Sequence, residues 1–226
     1  MIFFDIDQTL LDHETAERNG ALAFYKQHNK ELNVTEEEFL LKWKQLSKVY
    51  YQKFLDNELS FSEQRRMRIK AAFDFVEITD QQADQLFSEY VAMYKNHWLA
   101  FEDVVPCLES LKQAGHTLAI ISNGDYSQQK EKLNDIGIDY YFNHLFTSNE
   151  IGAAKPNVKI FKEACRRANV KIGDCIYVGD HFDLDYMASE KAGMKGVWIN
   201  RKNDATTKMV NEIDHLDQLL EKVSMT

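Results

Sequence analysis

The sequence predicts an α/β fold: a doubly wound parallel sheet interrupted by an inserted block of helices. Three observations predict it. A short apolar run, 1-MIFF-4, stands alone ahead of a long stretch of helical periodicity. After residue 101 the chain alternates short apolar runs with amphipathic segments, the pattern of strands buried on both faces beneath helices. The solitary first run cannot form a sheet by itself, so it must pair with strands beyond residue 117, and the sheet domain is discontinuous.

The elements follow in order. The segment 36-EEEFLLKWKQLSKVYYQKFL-55 carries large apolar residues at helical spacing. Ser60 and Ser62 offer cap oxygens ahead of a helix over 63–76, and Thr79 caps one over 80–98, whose acidic first turn suits the helix dipole. No strand is evident between residues 14 and 98. Beyond Phe101, helices are expected over 104–115, 126–137, 157–169 and 183–193. Strands are expected over 117–122, 144–148, 175–180 and 196–200. The resulting division is a Rossmann-like core from residues 1–14 and 99–226, and an α-helical domain from 15–98. An insertion after the first strand emerges at the carboxyl edge of the sheet, where ligands bind in such folds. The helical block is therefore expected to act as a cap.

Composition narrows the function. The chain has 226 residues, 44% hydrophobic and 28% charged, an ordinary globular balance with material for a sizeable core. Its net charge of −9 disfavours nucleic-acid polymers as partners. A small anion remains admissible if its site brings its own cations. No apolar run approaches the length of a membrane span, and the opening MIFFDID shows no basic leader, so a cytoplasmic location is expected. Cys107, Cys165 and Cys175 form no metal-binding spacing and read as reduced, buried thiols.

Four short motifs close predicted strands. The first, 5-DIDQT-9, places Asp5 and Asp7 two residues apart; by itself it also suits a polar turn. The second, 122-SNG-124, offers the Ser122 hydroxyl and backbone N–H groups to an anion, or simply caps a helix. Lys155, held out of the helical region by Pro156, is either a site cation or a solvated lysine. The fourth, 179-GDHFDLD-185, clusters carboxylates that could equally stabilise a helix start. Each bland reading competes singly; the ordered set of four is far harder to explain as turns and caps.

That set resembles the haloacid dehalogenase superfamily, with its D-x-D-x-T, Ser or Thr, Lys and G-D-x-x-x-x-D signature. The helical insertion resembles that superfamily's first, α-helical cap type. The pattern 122-SNGDYSQQ-129 with 155-KPNVKIF-161 looks like the branch of pyrimidine 5′-nucleotidases and related small-metabolite phosphatases. The resemblance implies a phosphatase in which Asp5 attacks phosphorus and Asp7 serves as general acid, then general base. Asp5, Asp180 and a phosphate crowd negative charge, which calls for a hard divalent cation, Mg²⁺ at such sites. It is assigned to Asp5, the Asp7 carbonyl and Asp180. Lys155 neutralises the phosphate and nucleophile, Ser122 and the Asn123 N–H hold phosphate oxygens, and Thr9 steadies the Asp5 loop. Asp185 is expected to orient metal-bound water or Lys155; Asp183 is also available, although the signature's register falls on Asp185. Gln8 and His181 depart from the commoner residues and bear on substrate fit.

The expected substrate is a small phosphomonoester, either a nucleoside monophosphate or a sugar phosphate. A dehalogenase needs no acid at position 7, and a pure binding module needs none of the catalytic set. A phosphomutase would keep all four motifs. Arg65, Arg66 and Arg68 could meet an anionic substrate group or form surface ion pairs. Trp43, Tyr50, Tyr51, Phe54 and Phe73 could include a stacking residue or simply be helical core. Oligomeric state is not encoded in any readable way.

Overall fold

The structure is a computed structural model describing residues 1–56, 58–73, 77–202 and 211–224. In chain order the elements are β1 (Ile2–Phe4), α1 (His13–Leu32), α2 (Glu36–Leu55), α3 (Phe61–Ala72), α4 (Asp80–Lys95), α5 (Val104–Gln113), β2 (Leu118–Ser122), α6 (Tyr126–Asp135), β3 (Phe142–Thr147), α7 (Ser148–Ile151), α8 (Val158–Arg167), β4 (Ile176–Gly179), α9 (Ala188–Ala192), β5 (Lys195–Ile199), β6 (Glu212–Ile213) and α10 (Leu219–Ser224). A π-helical turn, Phe182–Met187, leads into α9. The chain divides into two compact units, Met1–Asp12 with Leu99–Thr226, and His13–Trp98.

In the first unit the described strands form one parallel sheet in the order β3-β2-β1-β4-β5-β6. The three residues of β1 are fully paired on both sides: Phe4 lies opposite Ile120 of β2 and Val178 of β4. This central strand is wholly buried, as are β2 and β4. Phe3, Ile121, Phe161 and Tyr177 belong to one apolar cluster that packs helices onto the sheet. Because all strands run the same way, Asp5, Ser122 and Asp180 emerge together at one edge.

The helical unit starts its helices with local chemistry the sequence announces. Thr35, Ser60 and Thr79 each cap reciprocally with Glu38, Glu63 and Gln82. Its core is aromatic: Trp43 lies 4.5 Å from Tyr90 and 5.8 Å from Phe24, ring centre to ring centre. At Gly20 a Cβ would come within 2.7 Å of the Tyr94 backbone, so glycine permits the close approach of α1 to α4.

Several boundaries differ from expectation. Ser60, not Ser62, is the cap of α3, which begins at Phe61; residues 74–76 of the expected 63–76 helix lie outside the described residues. Helix α8 starts at Val158 under an Asn157 cap, one residue later than the proline suggested. The 183–193 helix opens with the π-helical turn, and β6 and α10 were not foreseen. A two-residue strand is too short to carry a periodic signal.

A buried charge group fastens the loop after β1. Arg201 donates to both oxygens of Asp103 at 3.0 Å and to the Thr9 carbonyl at 2.7 Å, over the Phe101 ring. Asp103 also accepts the Leu216 N–H at 2.8 Å. Burial pushes the Asp103 carboxyl up, but bonds from Arg201 and Leu216 outweigh this and leave it below the usual carboxylate range. A group depressed on folding stabilises fully above its unfolded value of ~3.9 and loses that contribution as pH falls through the folded value. Asp103→Asn is therefore expected to cost about 2–3 kcal/mol at pH 7. Urea unfolding at pH 7 and again near pH 3 should show the gap to wild type shrinking in acid.

Candidate active site

The carboxyl edge of the sheet gathers the four motifs. Asp5 follows β1, its N–H bonded to the Val178 carbonyl at 2.9 Å, so the neighbouring strand sets where its side chain starts. Asp5 and Lys155 are buried, and Lys155 Nζ lies 2.7 Å from Asp5 Oδ1 and 2.6 Å from Asp185 Oδ1. The Tyr177 hydroxyl, from β4, accepts from Lys155 at 2.9 Å and lies 3.0 Å from both Asp185 Oδ1 and the Ile121 carbonyl. The lysine backbone is held too. Its N–H donates to Asn123 Oδ1 at 2.8 Å, and Asn123 Nδ2 donates to its carbonyl at 3.1 Å. Asn123 thus spends its side chain on fixing Lys155.

The choice between the two acids of the last motif is resolved by burial. Asp185 is 1% exposed, and its Oδ2 accepts the His181 N–H at 3.0 Å; Asp183 is exposed. The π-helical turn brings Asp185 back against β4, where Gly179 leaves room. Asp180 is partly buried; its carbonyl accepts from Trp198 Nε1 at 2.7 Å and its carboxylate from the buried Thr9 hydroxyl at 3.5 Å. Thr9 is fully buried and braces Asp180 from beneath.

Asp5, Asp180 and Asp185 offer carboxylate oxygens all within 4.8 Å of one another. Burial pushes Asp180 well above the usual carboxylate range, and the Asp185 and Asp5 charges add to it. Burial likewise raises Asp5, which Lys155 pulls back while Asp185 and Asp7 push up, to about 6. Lys155 stays charged, because Asp185, Asp5 and Tyr177 more than offset its burial. These residues fit a hard divalent cation: an all-oxygen donor set whose crowded charge a cation would relieve. With Asp185 already engaged by Lys155, Tyr177 and His181, Asp5 and Asp180 are the carboxylates best placed to hold one.

Three site residues escaped the sequence reading: Tyr177, Lys132 and Gln129. Lys132 Nζ contacts both Asp7 oxygens, at 2.6 and 2.8 Å. Gln129 Nε2 lies 2.7 Å from Ser122 Oγ, 3.0 Å from the Asn123 carbonyl and 3.4 Å from Asp7 Oδ2. The available signal for Lys132 and Gln129 was their spacing: residues 129, 132 and 133 form the buried stripe of α6, where polar residues need a reason. Tyr177 carried a similar signal, a hydroxyl inside an apolar strand.

The three arginines of α3 find partners within the helical unit. Arg66 forms a two-pronged pair with Asp84 at 2.7 Å, Arg65 lies over Phe61 at 4.1 Å, and Arg68 is buried over Trp43 at 4.5 Å. Trp43 and Phe73 are core residues, while Tyr50, Tyr51 and Phe54 are half-buried.

A parallel sheet whose edge collects these carboxylates and a buried lysine defines a hydrolase of one class: residues 2–199 match the haloacid dehalogenase-like hydrolases, and the chain belongs to that family. Among named relatives, glyceraldehyde 3-phosphate phosphatase of Methanopyrus kandleri is 43% identical over 101 residues, 45% of this chain and 43% of that protein. The chain thus spans under half of that relative's length. Human N-acylneuraminate-9-phosphatase is 28% identical over 240 aligned positions, covering 100% of this chain and 96% of that protein. The HAD-hydrolase YfnB from Bacillus subtilis, solved bound to magnesium, superposes with a TM-score of 0.86 at 21% identity, over 99% of this chain and 97% of that one. At that identity the likeness concerns the fold. No helix among the described residues is long and apolar enough to cross a membrane.

Gly179 supplies a test of the packing. A Cβ there would fall 2.6 Å from Asp185 Oδ2, a group held on three sides. Gly179→Ala is expected to destabilise the fold by about 1–3 kcal/mol through this overlap. A lowered thermal midpoint, measured against wild type, is the result to look for.

Proposed function

We propose that the protein is a Mg²⁺-dependent phosphatase that hydrolyses a small phosphomonoester metabolite through an aspartyl-phosphate on Asp5. The observation that carries this is Lys155, whose ammonium sits 2.7 Å from Asp5 while Asp7 stands two residues on as a second, separately held carboxylate. One carboxylate oriented by a buried cation and another paired elsewhere suit a nucleophile and an acid–base partner. A dehalogenase would have no use for the second.

In the first step an Asp5 oxygen attacks phosphorus, the bond to the ester oxygen breaks, and Asp7 gives its proton to the departing alcohol. In the second, Asp7 takes a proton from water, which attacks the phosphoryl group; phosphate leaves and Asp5 is restored. Lys155 keeps positive charge against Asp5 and the incoming phosphate. Ser122 and the Asn123 N–H cradle phosphate oxygens, Thr9 braces Asp180, and Asp185 orients Lys155. Mg²⁺, when held by Asp5, Asp180 and the Asp7 carbonyl, would supply Lewis-acid stabilisation of phosphoryl charge.

The names of the relatives favour a sugar or sugar-acid phosphate over a nucleoside monophosphate. The helical unit is proposed as the cap that chooses among them. It contains a cleft of about 360 Å³ whose lining includes Glu17, Arg18, Trp43 and Lys44, polar partners suited to sugar hydroxyls or a carboxylate.

The test is phosphate release from a panel of sugar phosphates, sugar-acid phosphates and nucleotides. Release should require Mg²⁺, stop with EDTA and return on adding the metal back. Asp5→Asn should lower turnover by at least about 10³-fold while retaining the wild-type circular dichroism. Undiminished turnover in that variant, or no release from any ester, would sink the reading.

A further inference from the structure

Helix α6 contributes two polar side chains that the mechanism above leaves unused. Gln129 and Lys132 share one face of the helix and are 2% and 4% exposed. A lysine is seldom so buried without a carboxylate; here one ammonium engages both oxygens of Asp7, which fixes the plane of the carboxylate. The glutamine amide faces the Asn123 carbonyl and Asp7 Oδ2, two acceptors that require its nitrogen at that end. Its carbonyl oxygen Oε1 is buried with no hydrogen-bond partner among the described residues. A buried acceptor without a partner calls for an explanation. Reaching Asp7, Ser122 and Asn123 at once supplies one.

We propose that Lys132 and Gln129 are positioning residues that lock the Asp7 carboxylate to the phosphate cradle of Ser122 and Asn123. The proposal rests on the phosphatase reading. Asp7 is the least enclosed acid of the pair, its side chain 30% exposed against 8% for Asp5. A general acid must reach its target atom within roughly 2.6–3.2 Å, and a displacement of about 1 Å can cost 10²-fold. Left unheld, a side chain this exposed would sample positions outside that reach. The ammonium of Lys132 opposes that movement, and Gln129 ties the same carboxylate to the hydroxyl that meets the phosphate.

The experiment compares two aryl esters of similar shape, in full-length protein with Mg²⁺. Phenol leaves poorly without a proton, whereas 4-nitrophenolate leaves unaided. The ratio kcat/KM reports the first chemical step for both. Lys132→Met should lower kcat/KM for phenyl phosphate by about 30-fold or more and for 4-nitrophenyl phosphate by less than about 5-fold. Gln129→Leu should act in the same direction with a smaller ratio. In an Asp7→Asn background, Lys132→Met should leave the ratio between the esters unchanged, because the two groups act as a unit. Should Lys132→Met fail to fold by circular dichroism, Lys132→Gln carries the same comparison. An equal loss on both esters, or no loss on either, overturns the positioning role. Wild-type protein that releases phosphate from neither aryl ester nor any ester of the panel above removes the phosphatase reading itself; wild-type protein that cleaves both aryl esters, with variants losing equally, removes only the positioning.

Discussion

The site is organised around a single buried ammonium. Lys155 reaches the ends of β1 and β4 and the turn beyond β4 at once, through Asp5, Tyr177 and Asp185. Each contact alone would be unfavourable. An isolated charge is costly to bury, and here Asp185 is 1% and Lys155 3% exposed. Together they compensate, and removing any one leaves a buried charge unmatched. The grouping therefore adds little net stability while demanding that all its members arrive together. It is a condition on geometry, and the backbone obeys it: Asn123 clamps Lys155 through both its N–H and its carbonyl, and the π-helical turn folds Asp185 back over Gly179.

The fold was legible because parallel strands turn sequence order into spatial convergence. Asp5, Ser122 and Asp180 lie far apart in the chain, yet each ends a strand of one sheet, so one edge receives them all. The cap at Thr79 was equally plain, and Ser60 was one of the two offered for α3, since a cap is a local event. What escaped depends on packing. Gln129 and Lys132 look like ordinary polar residues of a helix until α6 is laid against the sheet and its inward stripe is known. Tyr177 looked like strand core until its hydroxyl met Lys155. The arginines of α3 had two readings, and only packing supplied Asp84 and the aromatic rings that occupy them. The preference for Asp185 over Asp183 was legible in the signature's spacing, and Asp185 is the buried one of the two.

Charge placement accounts for how an acidic chain can hold a site for an anion. Three of the carboxylates at the sheet edge are divided between two lysines of different origin, while Asp180 takes the Thr9 hydroxyl. One follows α7 and serves Asp5 and Asp185; the other projects from α6 and serves Asp7. The two acids proposed for chemistry thus have separate counter-charges, and a change at one need not be felt equally at the other.

The Arg201 guanidinium gives the far end of the chain a hold on its beginning. It grips the carbonyl of Thr9, inside the loop that carries Asp5 and Asp7, and through Asp103 it reaches the backbone of Leu216. The family match ends at residue 199, two positions short of this anchor. A fragment trimmed to the matched region would keep every motif residue and yet lose the strut beneath the loop of Asp5 and Asp7, so the working minimum of this domain is longer than its signature.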